Sequence, residues 1–302
     1  MKKSKLNIPI LSPLNFRKNH IKNNLDELLN DDSITQFFIH SFKENDISLN
    51  LPLPPHKKTV NDFVFITNGS MTRSLGIELF QLKKHDFLFT PENSITTTEF
   101  ISSDLEGFYC HFSDDFIGTN PIISTFQTQL NRQNYIQVSQ EAASNISFLL
   151  TRIDQLYKSR KSNPNNCRLI PIYLSTVIAD LVLTLKKQAT VIPRYNRVFF
   201  NFQNLVHKQF KQNLPVKEYA AQLNMTPNHL NKRVKQENGK TASEVIREIT
   251  MLEAKVLLLQ STMQIKEISR ELGFNDDSYF SRLFKIETNY TPSNYRKMID
   301  LS

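Results

Sequence analysis

The sequence predicts an α+β chain of two domains, and three observations carry the prediction. Short β-type runs at even spacing fill residues 60–112, amphipathic helical periodicity takes over after residue 138, and the last third repeats itself at an offset of about fifty residues. Short, evenly spaced strands point to a small antiparallel barrel or sandwich. A repeated arrangement of helix, turn and polar helix means one structural unit used twice. The 302 residues are enough for two separate cores.

Residues 1–60 are polar and Asn-rich. Leu51-Pro52-Leu53-Pro54-Pro55 closes them, because proline continues neither a helix nor a central strand. Phe63-Val64-Phe65-Ile66-Thr67 reads as a strand stopped at Asn68-Gly69-Ser70, residues that tolerate positive φ. Ile77 to Phe80, Asp86 to Thr90 before Pro91, and Gly107 to Phe112 are further strands. From Ser139 to Tyr157, Ile146, Leu149, Leu150, Ile153 and Leu156 fall at helical spacing. A second helix, from about Arg168 to Lys187, carries Ile172, Leu174, Val177, Ile178, Leu181, Val182 and Leu185. It is apolar round much of its circumference and is expected to be buried on more than one side. The apolar surface of this pair exceeds what one small barrel covers, so residues 139–188 form the expected homodimerisation segment. Residues 189–195, with Pro193, read as a linker after a first domain of 1–138. From Asn196 to the end the chain is helical, opening on an apolar face of Phe199, Phe202, Leu205, Val206 and Phe210.

Charge separates the two parts. The formal balance is +8. Residues 196–302 hold 16 Lys and Arg against 11 Asp and Glu, a balance of +5, whereas residues 1–195 hold 21 against 18. The excess lies where the repeat lies, as an anionic partner requires. Cys110 and Cys167 stand far apart, at no metal or redox spacing, as in a reducing compartment. The basic start Met1-Lys2-Lys3-Ser4-Lys5 is followed by Pro9, Pro13 and Asn15, which break up a signal-like apolar run. No continuous run reaches the ~18 apolar residues of a membrane helix. The longest, Tyr173 to Leu185, contains Asp180. A cytoplasmic protein without a membrane anchor is expected.

The repeat aligns Asn228-His229-Leu230-Asn231-Lys232-Arg233-Val234-Lys235 with Ser278-Tyr279-Phe280-Ser281-Arg282-Leu283-Phe284-Lys285. Upstream, Tyr219 to Met225 pairs with Ile268 to Phe274; downstream, Thr241-Ala242-Ser243 pairs with Thr291-Pro292-Ser293. Asn224 and Gly273 suit the left-handed turn between two helices. Thr226, and Asp276 or Asp277, can cap the helix that follows. On that helix Asn228, Asn231, Lys232 and Lys235 share one face, as do Ser278, Ser281, Arg282 and Lys285. Asn and Arg can make paired bonds to adenine and guanine edges, and Lys suits phosphate. One polar stripe is usually a solvated face; two with matched turns indicate double-stranded DNA.

These residues resemble the AraC/XylS family of bacterial transcriptional regulators. The match is strongest from Ile265 to Tyr295, through Leu272-Gly273-Phe274, Ser278 to Lys285 and Thr291-Pro292-Ser293-Asn294-Tyr295-Arg296. The resemblance covers residues 196–298 and implies seven helices with two helix-turn-helix units. A long helix from Ser243 to Leu259 would join them, fixed by Ile246, Ile249, Leu252, Val256 and Leu259. It implies that the two polar helices, at 227–236 and 277–286, enter successive major-groove segments. By position, Asn228, Asn231 and Lys232 would read bases in the first, with Lys235 on phosphate. Ser278, Tyr279 and Arg282 would read in the second, with Lys285 on the backbone. RNA polymerase is an implied partner, and the activator role is the family's. Lys232 stands where the family often has Arg, and Arg233 where the second copy has Leu283.

The segment 60–112 is similar in pattern to the cupin-like sensor domains of such regulators. A small effector would then sit in an apolar mouth lined by Phe63, Phe65, Phe87, Phe89 and Phe108, residues that could equally fill the barrel. The rival class is a small-molecule-binding or enzymatic cupin with a structural helical tail. It finds little here: His56, His85 and His111 are isolated, reading as surface or edge residues rather than a metal centre. No nucleophile motif, phosphate loop or other cofactor signature occurs.

Overall fold

The computed structural model describes residues 36–44, 51–118, 134–189 and 196–300. They form two compact units, one ending with the helix at Ala189 and the other starting at Asn196. The opening polar stretch before residue 36 and nearly all of the expected linker lie outside the described residues.

Among the described residues the first unit has nine strands: β1 Phe37–Ser41, β2 His56–Lys57, β3 Asn61–Asn68, β4 Ser70–Leu75, β5 Glu78–Lys83, β6 Asp86–Thr90, β7 Ile95–Ile101, β8 Glu106–Phe112 and β9 Tyr135–Gln137. They form two antiparallel sheets, ordered β1-β8-β3-β6-β9 and β2-β7-β4-β5. Of the barrel or sandwich expected, the described strands make two facing antiparallel sheets that do not close into one barrel. Asn68-Gly69-Ser70 is a turn, but it carries the chain from one sheet to the other; the tight hairpin is β4–β5, with Leu75 paired to Glu78.

Among the described residues, helix α1 Asp114–Ile117 stands between β8 and β9, and α2 Gln140–Lys158 and α3 Ile170–Ala189 follow β9. Ser139 caps α2, its hydroxyl accepting from the Ala142 amide at 3.3 Å. Ile146, Leu150 and Ile153 of α2 and Leu174, Val177, Ile178 and Leu181 of α3 share one core with Phe63, Phe65, Phe87 and Phe89. A second core, with Val64, Ile66, Met71, Leu82 and Leu88, lies between the sheets. β3 thus buries alternate residues on both faces, which explains its unbroken apolar run. Each such side chain contributes roughly 1.5–3 kcal/mol on leaving water. β4 and β7 escape the sequence reading because their runs, Ser-Met-Thr-Arg-Ser-Leu and Ile-Thr-Thr-Thr-Glu-Phe-Ile, are largely polar. Asn165–Leu185 is long and apolar enough, by composition, to cross a membrane, with mean hydropathy 1.6. Its inward half is core; Ile172, expected to be buried, is 63% exposed.

The second unit holds seven helices: α4 Asn196–Gln209, α5 Val216–Gln222, α6 Pro227–Asn238, α7 Ala242–Gln260, α8 Ile265–Glu271, α9 Asp277–Thr288 and α10 Pro292–Asp300. Phe199, Phe202, Val206 and Phe210 are buried as expected. α7 departs from its expected stripe: Val245, Ile249, Val256, Leu257 and Leu258 are buried, while Ile246, Leu252 and Leu259 are half-buried. The reason is that α7 packs against α4, α6, α8, α9 and α10, so its buried surface wraps most of the helix.

Candidate nucleic-acid interface

Each helix-turn-helix is α5–α6 or α8–α9. In both, the turn is closed by a bond spanning five residues: the Met225 amide to the Ala220 carbonyl at 2.9 Å, and the Phe274 amide to the Ser269 carbonyl at 3.0 Å. That bond needs a left-handed residue just before its donor. Asn224 (φ 55°) and Gly273 (φ 83°) supply it. The Thr226 hydroxyl caps α6 by accepting from the His229 amide at 3.2 Å. Asp276 caps α9, its carboxylate accepting from the Ser278 and Tyr279 amides at 2.8 and 3.3 Å. Asp276, not Asp277, is thus the cap.

Burial repeats residue by residue: the pattern over 231–240 recurs unchanged over 281–290. Leu230 and Val234, like Phe280 and Phe284, are buried. Asn228, Lys232, Lys235, Ser278, Tyr279, Arg282 and Lys285 are exposed on the two reading helices. Asn231 differs. It is half-buried, and its Oδ1 accepts from the Ala242 amide at 2.9 Å, so its carbonyl end is engaged inside the unit. The sequence reading leaves out the exposed His229, which matches Tyr279, and the exposed pair Gln236 and Ile286, the latter 74% exposed. The repeat alignment itself pairs His229 with Tyr279 and could have found it.

Two acids, Glu237 of α6 and Glu287 of α9, are engaged inside the unit, while Asp277 in the first turn of α9 is half-buried. Glu237 accepts from the Phe199 amide at 3.3 Å. Burial raises its carboxyl above the usual range, against the Phe199 bond and nearby Arg233, which favour the charged form. Arg233 therefore sits on the inner side, as Leu283 does in the second unit. Glu287 pairs with Arg247 of α7 at 2.5 Å. With these carboxylates tied down, Lys232 and Lys235 on one helix, and Arg282 and Lys285 on the other, set the sign of the outward field.

Residues 219–298 match the family described as Helix-turn-helix domain. The C-terminal unit is an AraC-type helix-turn-helix domain. The chain is 30% identical over 115 residues to the uncharacterized HTH-type transcriptional regulator YtdP of Bacillus subtilis, covering 38% of this chain and 15% of that one. It is 27% identical over 154 residues to the lactose operon transcription activator of Staphylococcus xylosus, covering 51% and 55%. Against the crystal structure of ToxT from Vibrio cholerae the identity is 16%, with 87% and 94% covered and a TM-score of 0.40. The matched stretch spans about half or less of the curated relatives' length. The matched residues include α6 and α9 whole.

The N-terminal candidates fall elsewhere. Phe63, Phe65, Phe87, Phe89 and Phe108 are all buried in the core against α2 and α3. Among the described residues they line no open mouth. His56 and His111, expected at the surface or an edge, are both buried; His56 is on the edge strand β2, and His111 belongs to the inner strand β8. His111 joins a polar cluster between the sheets. Arg73 and Lys58 bond the Asp62 carboxylate at 2.6 and 2.7 Å, Arg73 also reaches Thr96 at 3.0 Å, and Tyr109 links Lys58 to His111. Burial disfavours the Asp62 charge, but Arg73, Lys58 and His111 outweigh it and hold the carboxyl below its usual range. Burial brings Lys58 down to about 8. Thr90, paired across the strands with Asp62, has a buried hydroxyl with no partner among the described residues.

Proposed function

We propose that the chain is a sequence-specific DNA-binding transcriptional regulator of the cytoplasm, and not an enzyme, presenting α6 and α9 to two successive major-groove segments. One observation carries this reading: residues 231–240 and 281–290 share one burial pattern, with Glu237 and Glu287 engaged inside the unit and Lys232, Lys235, Arg282 and Lys285 exposed. The named activator among its relatives supports an activating role, with RNA polymerase as the partner. Selection of bound fragments from a random duplex pool tests it. The selected duplex should bind steeply more weakly as salt rises through counterion release. Binding indifferent to both sequence and salt would sink the reading.

A homodimer belongs to the same proposal. Leu169, Ile172, Thr176, Ala179 and Leu183 lie at alternating spacings of three and four along the outer side of α3, uncharged, with Ile172 and Leu183 more than half exposed. That is the spacing of a two-helix seam, and a second copy carries the matching stripe. Light scattering of Ile172→Glu/Leu183→Glu should show a monomer where the parent is a dimer; a monomeric parent ends the idea.

A candidate effector site, besides the one expected among the phenylalanines, is the polar cluster between the sheets. Two cations face one carboxylate there, beside the unpartnered Thr90 hydroxyl, a setting that suits a small ligand with an anionic group. Thermal melting against a panel of organic acids and phosphate esters should show a shift that Thr90→Val reduces. No shift with any of them would remove this site.

A further inference from the structure

We infer that Asn231 is a positioning residue that fixes the first reading helix to α7 and reads no base; this rests on the DNA-binding reading above. Paired recognition of adenine takes both ends of an Asn amide. The Oδ1 end of Asn231 is held at 2.9 Å by the Ala242 amide, and the side chain is half-buried while Asn228, Lys232 and Lys235 are exposed. Ala242 is the first residue of α7 and is fully buried. The first amides of a helix have no partner within it, so this one requires a side-chain acceptor.

The second unit supplies the control. Its residue at the matching helix start is Pro292, also buried, which has no N–H to satisfy. The residue matching Asn231 is Ser281, shorter by an amide group. Where the donor exists the chain places an acceptor long enough to reach it; where proline removes the donor, it does not. Because α7 joins the two units, the Asn231 bond sets the angle at which α6 is presented.

The experiment is a double-mutant cycle in the full chain, using Asn231→Ser and Ala242→Pro. Asn231→Ser alone should speed hydrogen exchange of the Ala242 amide about fivefold or more and lower the melting midpoint of the C-terminal unit by a few degrees. In the Ala242→Pro background the same substitution should change the midpoint by less than about one degree, since no orphan donor remains. The reciprocal pair gives an independent route: Pro292→Ala should lower the midpoint, and adding Ser281→Asn should restore it. Base preference, read by selection from a random duplex pool, should be the same for parent and Asn231→Ser. A changed base at one position of the first half-site would overturn the inference, as would an equal thermal loss in both backgrounds. A chain that enriched no duplex at all would instead refute DNA binding, while hydrogen exchange and melting still decided the bond.

Discussion

The two helix-turn-helix units share one burial pattern over 231–240 and 281–290 and the same bond closing the turn, yet at nearly every special position they use different residues. The left-handed turn is Asn224 in one and Gly273 in the other, while the left-handed helix end is Gly239 in the first and Asn289 in the second, so the two residue types are exchanged. The cap is Thr226 against Asp276, and the start of the next helix is Ala242 against Pro292. What the fold conserves is the job: a positive φ, an acceptor at a helix start, a satisfied or absent donor. Which residue does it depends on the neighbours.

The turn glycine is where the units should differ most. A Cβ on Gly273 would lie 2.4 Å from the Lys211 carbonyl oxygen, besides the strain of φ +83°. Lys211 also pairs with Glu271 at the end of α8, so that backbone is held in place. Gly273→Ala should therefore cost about 2–4 kcal/mol, the sum of left-handed strain and overpacking. Asn224 already carries a Cβ in its turn, and Asn224→Gly should stay within about 1 kcal/mol. Chemical denaturation of the C-terminal unit compares them. Equal costs would mean that the Lys211 approach does not distinguish the turns.

DNA affinity sharpens the comparison next. Arg282→Ala and Lys232→Ala should each weaken specific binding by about 1–3 kcal/mol, and both should relax base preference. Arg282 should lose more selectivity, because a guanidinium makes two directed bonds where an ammonium is a point charge. Titration of the selected duplex and its single-base variants measures both effects. A Lys232→Ala chain more relaxed than Arg282→Ala would reverse this ranking.

How far the sequence was legible divides along the same lines. The repeat showed the second unit plainly, because matched periodicity and turn chemistry constrain an all-helical fold closely. It did not show that Asn231 bonds Ala242, since a polar residue on an exposed-looking stripe can face DNA or a neighbouring helix start. In the first unit β3, β5, β6 and β8 were visible as apolar runs. β4 and β7 were not, because one face of each is polar and the residues pointing inward include Arg73, Thr96 and Thr98. The same charged interior hid the true place of His111. The phenylalanines left two readings open, because apolar residues on both faces of β3 cannot reveal which side meets the helices.

The caps should separate the units by less. Asp276 satisfies two amides and places a negative charge at a helix start, whereas Thr226 satisfies one amide with a neutral hydroxyl. Asp276→Ala should cost about 1–2 kcal/mol and Thr226→Ala about 0.5–1 kcal/mol. Denaturation midpoints would show the order, and a larger loss at Thr226 would contradict it.

The smallest effect is the one in which the units should agree. Lys235 and Lys285 occupy the same position, are both exposed, and each end in a charge suited to phosphate rather than to a base edge. Neutralising one phosphate contact releases about one counterion fewer on binding, so Lys235→Ala and Lys285→Ala should each flatten the slope of log affinity against log salt by about 0.9. Each should weaken binding to selected and unrelated duplexes alike, because a phosphate looks the same beneath every sequence. Salt titrations on both duplexes separate this from base reading. If one lysine changed selectivity while the other changed only the slope, the shared burial pattern would not correspond to a shared docking geometry, and the two units would sit at different depths in their grooves.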